Sequence, residues 1–75
     1  MKKSVPDFVI DYDRKLKKQA QKINSRINKG EEIFYCEHKV NKVEFLSFVD
    51  YGTSEAYVYT EEGLRYNAGS QIFQL

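Results

Sequence analysis

The hydrophobic pattern of this chain changes from a helical to a strand-like period near Gly30. Between residues 13 and 28, apolar residues recur at intervals of four, three and four positions, which places them on one stripe of an α-helix. They are Leu16, Ala20, Ile23 and Ile27. The pattern predicts an amphipathic helix over about residues 13–28, capped by Asp11 or Asp13 and ended at Gly30. Its narrow apolar face suits packing on a sheet.

After residue 30, short runs of β-branched and aromatic residues alternate with turn residues. Five strands are predicted, at residues 33–36, 43–49, 55–60, 64–66 and 71–75. The turns between them are predicted at Asn41-Lys42 and at residues 50–54, 61–63 and 67–70. The central pair forms a β-hairpin, and strands this short are typical of a strongly bent antiparallel sheet or small barrel. The predicted fold is therefore α+β, with the helix packed on a small five-stranded antiparallel sheet.

The strand at residues 43–49 carries apolar side chains on both of its faces. One face holds Val43, Phe45 and Val49, and the other holds Leu46 and Phe48. Such a strand is either covered on both sides or exposes an aromatic surface for binding. The helix stripe is the predicted cover of one side. In the next strand, Tyr57 and Tyr59 share one face, which we expect to be the more exposed one.

Charge divides the chain into two halves within a single predicted domain of residues 1–75. Residues 1–30, the basic lead-in and helix, hold nine Lys or Arg against three Asp, a net charge of +6. Residues 31–75, the sheet or barrel, hold three against eight acidic residues, a net charge of −5. A basic half can contact phosphate or an acidic protein. Alternatively, the two halves neutralise each other, or the helix surface is simply solvated.

No enzyme motif is present in the sequence. Cys36 lies in an apolar run without a basic neighbour on the same strand face, which favours a buried core residue in a reducing compartment over a reactive thiol. His38 is the only histidine, so neither a zinc site nor a Ser-His-acid set can be assembled by spacing. Gly63 and Gly69 fit turns rather than a phosphate loop. We therefore expect a protein that is not an enzyme and has no metal or cofactor.

The longest apolar runs contain four residues, against the roughly 20 that a membrane-spanning helix needs. No signal-peptide pattern follows Lys2 and Lys3. These two observations predict a soluble, cytoplasmic protein with no membrane partner.

Residues 48–58, Phe-Val-Asp-Tyr-Gly-Thr-Ser-Glu-Ala-Tyr-Val, followed by Leu64-Arg65, resemble the core of Tudor domains. In that family a strand ending in Phe-Ile-Asp-Tyr-Gly-Asn precedes Glu-x-Val and a Leu-Arg pair. The resemblance implies an SH3-like barrel with an aromatic cage at Phe48 and Tyr51, whose ring faces could hold a methylated cation. Thr53 stands where the family has a cage asparagine, and only residues 39–42 replace a strand that carries further cage aromatics.

Together these features predict a non-enzymatic binding module. The first hypothesis is a protein-binding adaptor or inhibitor that uses the aromatic sheet surface around Phe48, Tyr51, Tyr57 and Tyr59. A composition rich in Lys, Asn, Ile and Tyr fits a phage or mobile-element protein that acts on a host protein. The alternative is a nucleic-acid-binding protein that contacts phosphates through Lys15, Lys18, Lys22 and Arg26. Self-association through the edge of residues 71–75 is a further interpretation, under which the protein would be a homo-oligomer.

Overall fold

One long helix packs on a curled antiparallel sheet in the computed structural model, which describes residues 6–47 and 54–75. The elements are helix α1 (Asp7–Asn28), strands β1 (Phe34–Tyr35), β2 (His38–Leu46), β3 (Glu55–Thr60) and β4 (Arg65–Asn67), and a C-terminal 3₁₀ helix (Gly69–Gln74). The strands of these described residues form one sheet in the order β1-β2-β3-β4, with every neighbouring pair antiparallel. The α+β class is confirmed.

Helix α1 begins at Asp7, so the prediction of a start near residue 13 is wrong. Pro6 is the N-cap, and its carbonyl oxygen accepts hydrogen bonds from the N–H groups of Val9 and Ile10, at 3.1 and 3.3 Å. Proline fixes its own φ near the helical value, so it can start a helix without a side-chain cap. Asp11 and Asp13, the predicted caps, lie inside the helix instead.

The first hairpin turns at Cys36 and Glu37, and not at the predicted Asn41-Lys42. Both turn residues have positive φ angles, 50° and 67°, as a tight two-residue hairpin turn requires. Asn41 and Lys42 belong to β2, where an irregularity in register interrupts the pairing with β3 between Val40 and Lys42. Because Cys36 stands at this hairpin tip, it is exposed, and the prediction of a buried cysteine is wrong.

The central hairpin is confirmed by the pairing of β2 with β3. Val43 is opposite Val58 and Phe45 is opposite Ala56. Strand β2 ends at Leu46. Residues 48–53, which include the Asp-Tyr-Gly turn and the end of the predicted strand, lie outside the described residues.

The prediction of a fifth strand at residues 71–75 is wrong. The ladder with β3 ends where the N–H of Ala68 donates to the Ala56 carbonyl at 2.9 Å. The chain then bends into the 3₁₀ helix, which buries Ile72 completely. The Gln19 amide of α1 donates to the Ile72 carbonyl at 3.0 Å and fixes the bend. Residues 71–75 therefore offer no strand edge for self-association.

The core lies between α1 and the inner face of the sheet. Its buried hydrophobic residues are Leu16, Ala20, Ile23, Ile33, Val40, Val43, Ala56, Val58, Ala68 and Ile72. The predicted helix stripe is thus confirmed as the cover of the sheet, with Ile27 partly buried at its edge. The cost of exposing this apolar surface to water holds helix and sheet together.

The sheet curls until its two outermost strands touch. The rings of Tyr35 in β1 and Tyr66 in β4 lie 5.6 Å apart between centroids, although neither strand pairs with the other. The Tyr35 hydroxyl also donates a hydrogen bond to the Gln71 side chain. These contacts give the described sheet the form of a half-barrel, so the barrel-like architecture is confirmed in this coarser form.

Candidate functional site

The outer face of the sheet, on the side away from α1, carries the two tyrosines predicted as binding residues. Along β3, Glu55, Tyr57 and Tyr59 are half-buried, and they alternate with the fully buried Ala56, Val58 and Thr60. The two-residue period of a strand explains this alternation. The prediction that the tyrosines lie on the more exposed face is confirmed.

Tyr57 is held by charged groups on both its ring and its hydroxyl. The guanidinium carbon of Arg65 lies 4.7 Å from the ring centroid, at cation–π distance. The hydroxyl donates to Glu55 Oε1 at 2.8 Å, and Asn67 Nδ2 donates to Glu55 Oε2 at 3.5 Å. The hydrogen bond to Glu55 raises the pKa of Tyr57, because ionisation would lose the bond and place two anions together.

Tyr59 is held in the same way by the neighbouring strand. The Lys42 ammonium lies 4.7 Å from its ring centroid, and its hydroxyl donates to Glu44 Oε1 at 2.7 Å. The strand register explains both contacts. Lys42 is directly opposite Tyr59, and Glu44, which is opposite Tyr57, is the diagonal neighbour of Tyr59 on the same face. We call this surface the tyrosine face; it comprises Lys42, Glu44, Glu55, Tyr57, Tyr59, Arg65 and Asn67.

The charged members of the tyrosine face were missed by sequence reasoning. Only the strand register could have identified them. In that register Tyr59 is opposite Lys42 of β2 on one side and opposite Arg65 of β4 on the other. The incorrect prediction of a turn at residues 41–42 placed Lys42 outside the sheet, whereas it belongs to β2. The other two predicted binding residues, Phe48 and Tyr51, lie outside the described residues, so the aromatic cage stays a prediction.

The exposed side of α1 presents the other predicted site. Lys15, Lys18 and Lys22 are exposed and line a shallow groove together with Gln19 and Phe73 of the 3₁₀ helix. Sequence reasoning missed Phe73 because it assigned residues 71–75 to a strand. The exposed aromatic ring beside three lysines is thus a feature that only the fold reveals.

Arg26, the fourth residue predicted to contact nucleic acid, makes three hydrogen bonds within the protein. Its Nε and Nη2 donate to the two carboxylate oxygens of Glu31 at 3.0 and 2.7 Å, and its Nη1 donates to the Leu75 carbonyl at 2.9 Å. The hydrogen bonds with Glu31 raise the pKa of Arg26, and those with Arg26 lower the pKa of Glu31. Arg26 therefore fastens the end of α1 to the C-terminal segment.

The interpretation that the two charged halves neutralise each other is supported at one place only. Among the ion pairs of residues 6–47 and 54–75, Arg26 with Glu31 is the one that joins the basic half to the acidic half. Lys39 lies 3.6 Å from both Glu32 and Glu61, within the acidic half. Within the described residues, Lys15 is the one exposed cation of α1 that has an ion pair, with Asp11 of the same helix.

His38 lies at the curled end of the sheet. Its Nδ1 bonds to the Glu62 carboxylate, and its ring stacks on Tyr66 at 5.8 Å between centroids. No group of three or more His, Cys, Asp or Glu side chains in the described part of the chain could hold a metal ion. Within the same residues, no helix has both the length and the apolar content that crossing a membrane requires.

Comparisons of this chain with profiles of known protein families, with curated proteins and with solved structures found no match. The resemblance to Tudor domains stays a prediction that rests on residues 48–58 and the Leu64-Arg65 pair. Of that pair, Leu64 is exposed and Arg65 belongs to the tyrosine face.

Proposed function

We propose that this protein is a non-enzymatic binding protein that docks a partner protein on the tyrosine face. The observation that carries the proposal is the pairing of Tyr57 and Tyr59 on one strand face, where each is half-buried and fixed at both ring and hydroxyl. Residues two apart on a strand stand about 6.6 Å from each other, so the two rings form one contact area. Tyrosine and arginine are the residue types enriched at the energetic centres of protein interfaces.

Preorganisation supports the same proposal. A tyrosine that is free in solution loses rotamer entropy when a partner immobilises it, at a cost of about 0.5–1.5 kcal/mol for each side chain ordered at an interface. On the tyrosine face, the hydrogen bonds to Glu44 and Glu55 and the cations over both rings already restrict Tyr57 and Tyr59. Most of that cost is met on folding, so a larger share of the contact energy is left for binding.

The charge of the tyrosine face indicates the chemistry of the partner. Its two cations, Lys42 and Arg65, are balanced by Glu44 and Glu55. A neutral face gains little from long-range attraction, so the partner surface is mixed, with an apolar or aromatic centre and a polar rim. Binding there occupies a partner surface, which is the action of an adaptor or an inhibitor. We extend the proposal to an inhibitor that a phage or mobile element directs at a host protein.

Affinity purification from nuclease-treated host lysate tests the proposal. We expect the tagged wild-type protein to retain a defined partner, and the Tyr57→Ala/Tyr59→Ala variant to lose it, since truncation of an interface centre costs 2 kcal/mol or more, about 30-fold in affinity. The Lys18→Gln/Lys22→Gln variant, changed on the opposite side of the molecule, is the matched control and should retain the partner. Circular dichroism of each variant verifies folding. Retention of the same partner by the folded tyrosine variant would contradict the proposal.

A further inference from the structure

Exposed cations concentrate on one side of α1, and within the described residues most of them have no ion pair. Five exposed basic residues stand there: Arg14, Lys15, Lys17, Lys18 and Lys22. Within the described residues, only Lys15 of these has an ion pair, with Asp11 at 3.0 Å, and both side chains of that pair are more than 60% exposed. An exposed pair of this kind contributes little, about 0.3–0.5 kcal/mol. Uncompensated charge of one sign on one surface is complementary to a polyanion.

The lysines of the groove form a row. Lys15, Lys18 and Lys22 follow one another at three and four positions along α1, which places them on one side of the helix. At 1.5 Å per residue, the row extends for about 10 Å. A row of flexible ammonium groups can follow a chain of phosphates, and each neutralised phosphate adds affinity that salt weakens.

Phe73 distinguishes between kinds of polyanion. Its side chain lines the same groove as the lysine row and is 41% exposed. The ring makes an edge-type contact with Tyr12, with centroids 6.2 Å apart and planes at 68°, which restricts its motion before a ligand binds. A fixed, exposed ring beside cations is the arrangement on which unpaired bases stack while lysines hold the backbone. The bases of a duplex are already stacked and do not present their faces to such a ring.

We propose that the groove between α1 and the 3₁₀ helix binds single-stranded nucleic acid without sequence preference. Gln19, the amide in the groove, donates from its Nε2 group to the Ile72 carbonyl, which restricts the reach of this side chain toward a base edge. The site is separate from the tyrosine face, which lies on the other side of the sheet. It includes Lys15, Lys18, Lys22 and Phe73, and it excludes Arg26, whose donors are bonded to Glu31 and Leu75.

Fluorescence anisotropy with a labelled oligothymidylate and an oligouridylate of the same length tests the site. With three phosphates neutralised, the slope of log K against log salt should be about −2, so affinity falls about 20-fold when salt is raised fourfold. Lys18→Gln/Lys22→Gln should reduce that slope by about 1.4. Phe73→Ala should weaken binding by about tenfold with the slope unchanged. Lys29→Gln, which removes an exposed cation outside the groove, is the matched control and should change neither quantity.

Three results would overturn the proposal: no binding at low salt, equal binding of a duplex of the same sequence, or binding of polyglutamate that Phe73→Ala leaves unchanged. The last result would identify an acidic protein as the partner of α1. If Phe73→Ala does not fold, Phe73→Leu keeps an apolar side chain and removes the stacking ring. The groove variants should still retain the partner of the tyrosine face in affinity purification. If they do, a negative result with the oligonucleotides counts against the groove and not against the proposed protein-binding function.

Discussion

The side-chain amide of Asn24 in α1 bonds to both backbone polar groups of Val43 in β2. Asn24 Nδ2 donates to the Val43 carbonyl, and the Val43 N–H donates to Asn24 Oδ1, each at 2.8 Å. Strand β1 is opposite His38 and Lys39 of β2, and the preceding Ile33 carbonyl accepts from the Val40 N–H at 2.8 Å, so the described part of this segment does not reach Val43. The helix amide thus takes the place of a neighbouring strand, which also shields this edge from other chains.

We predict that Asn24→Leu lowers the free energy of unfolding by about 2 kcal/mol. Leucine is close in size but leaves the N–H and carbonyl of Val43 without their partner, and each unsatisfied buried group costs about 1–3 kcal/mol. Urea denaturation followed by circular dichroism measures the change. Asn28→Leu, at the exposed end of the same helix, is the matched control. Equal midpoints for the two variants would show that the Asn24 bonds contribute nothing.

Asp13 of α1 holds both ends of the connection between β2 and β3, at Ser47 and Ser54. Ser47 Oγ donates to Asp13 Oδ1 at 2.7 Å, and Ser54 Oγ donates to the same oxygen. Hydrogen bonds to a charged group contribute about 1.5–3 kcal/mol. We expect Asp13→Ala to lower the free energy of unfolding by about 2 kcal/mol, measured by denaturation in urea. Asp11→Ala, which loses only an exposed ion pair, should change it by less than about 0.5 kcal/mol. The reverse order of the two variants would contradict this assignment.

Periodicity made the contact between helix and sheet predictable. The stripe of Leu16 and Ile23 and the alternation around Val58 are local signals, because a buried face repeats with the period of its own element. The helix end was predictable for the same reason, since Gly30 adopts a φ of 95° that suits glycine. The helix start was not, because two aspartates inside α1 imitate caps and Pro6 carries no side-chain cap.

The errors share a different cause. The turn at Cys36 and Glu37 uses two residue types that seldom adopt positive φ, so nothing local marks it. The 3₁₀ helix depends on the burial of Ile72 against α1, a contact between distant parts of the chain. The partners of Tyr57 and Tyr59 depend on strand register, which a single misplaced turn changes throughout. The exposed lysines of α1 could be predicted from the sequence, but the position of Phe73 beside them could not.

Substitution of two isoleucines of α1 tests where along the helix the hydrophobic core ends. Ile23 is fully buried, whereas Ile27 is partly buried at the edge of the core. We predict that Ile23→Ala lowers the free energy of unfolding by about 3–4 kcal/mol, through lost burial and the cavity left behind. Ile27→Ala, the same chemical change four residues later, should lower it by about 1–2 kcal/mol, because less apolar area returns to water. Denaturation in urea gives both values, and a larger loss for Ile27→Ala would mean that the core lies further along the helix.

The hydrogen bond between Tyr57 and Glu55 on the tyrosine face should contribute less to the stability of the fold at alkaline pH. The hydrogen bond to Glu55 raises the folded-state pKa of Tyr57 above its value of about 10 in the unfolded chain. Above pH 10 the folded protein therefore holds this proton more tightly than the unfolded chain does. The contribution of the bond to stability is complete below pH 10 and is lost as pH rises through the folded pKa.

Titration of tyrosinate absorbance measures this shift, because Tyr57→Phe should remove a late-ionising component from the wild-type curve. Glu55→Gln should bring that component back toward pH 10, since it removes the carboxylate that disfavours a phenolate. Glu61→Gln, a carboxylate of the turn after β3, is the matched control and should leave the component in place. Identical curves for Glu55→Gln and the wild type would show that Glu55 does not fix the Tyr57 hydroxyl. In that case the Tyr57 hydroxyl would lack a fixed partner, and only the Arg65 contact with the ring would preorganise this part of the proposed interface.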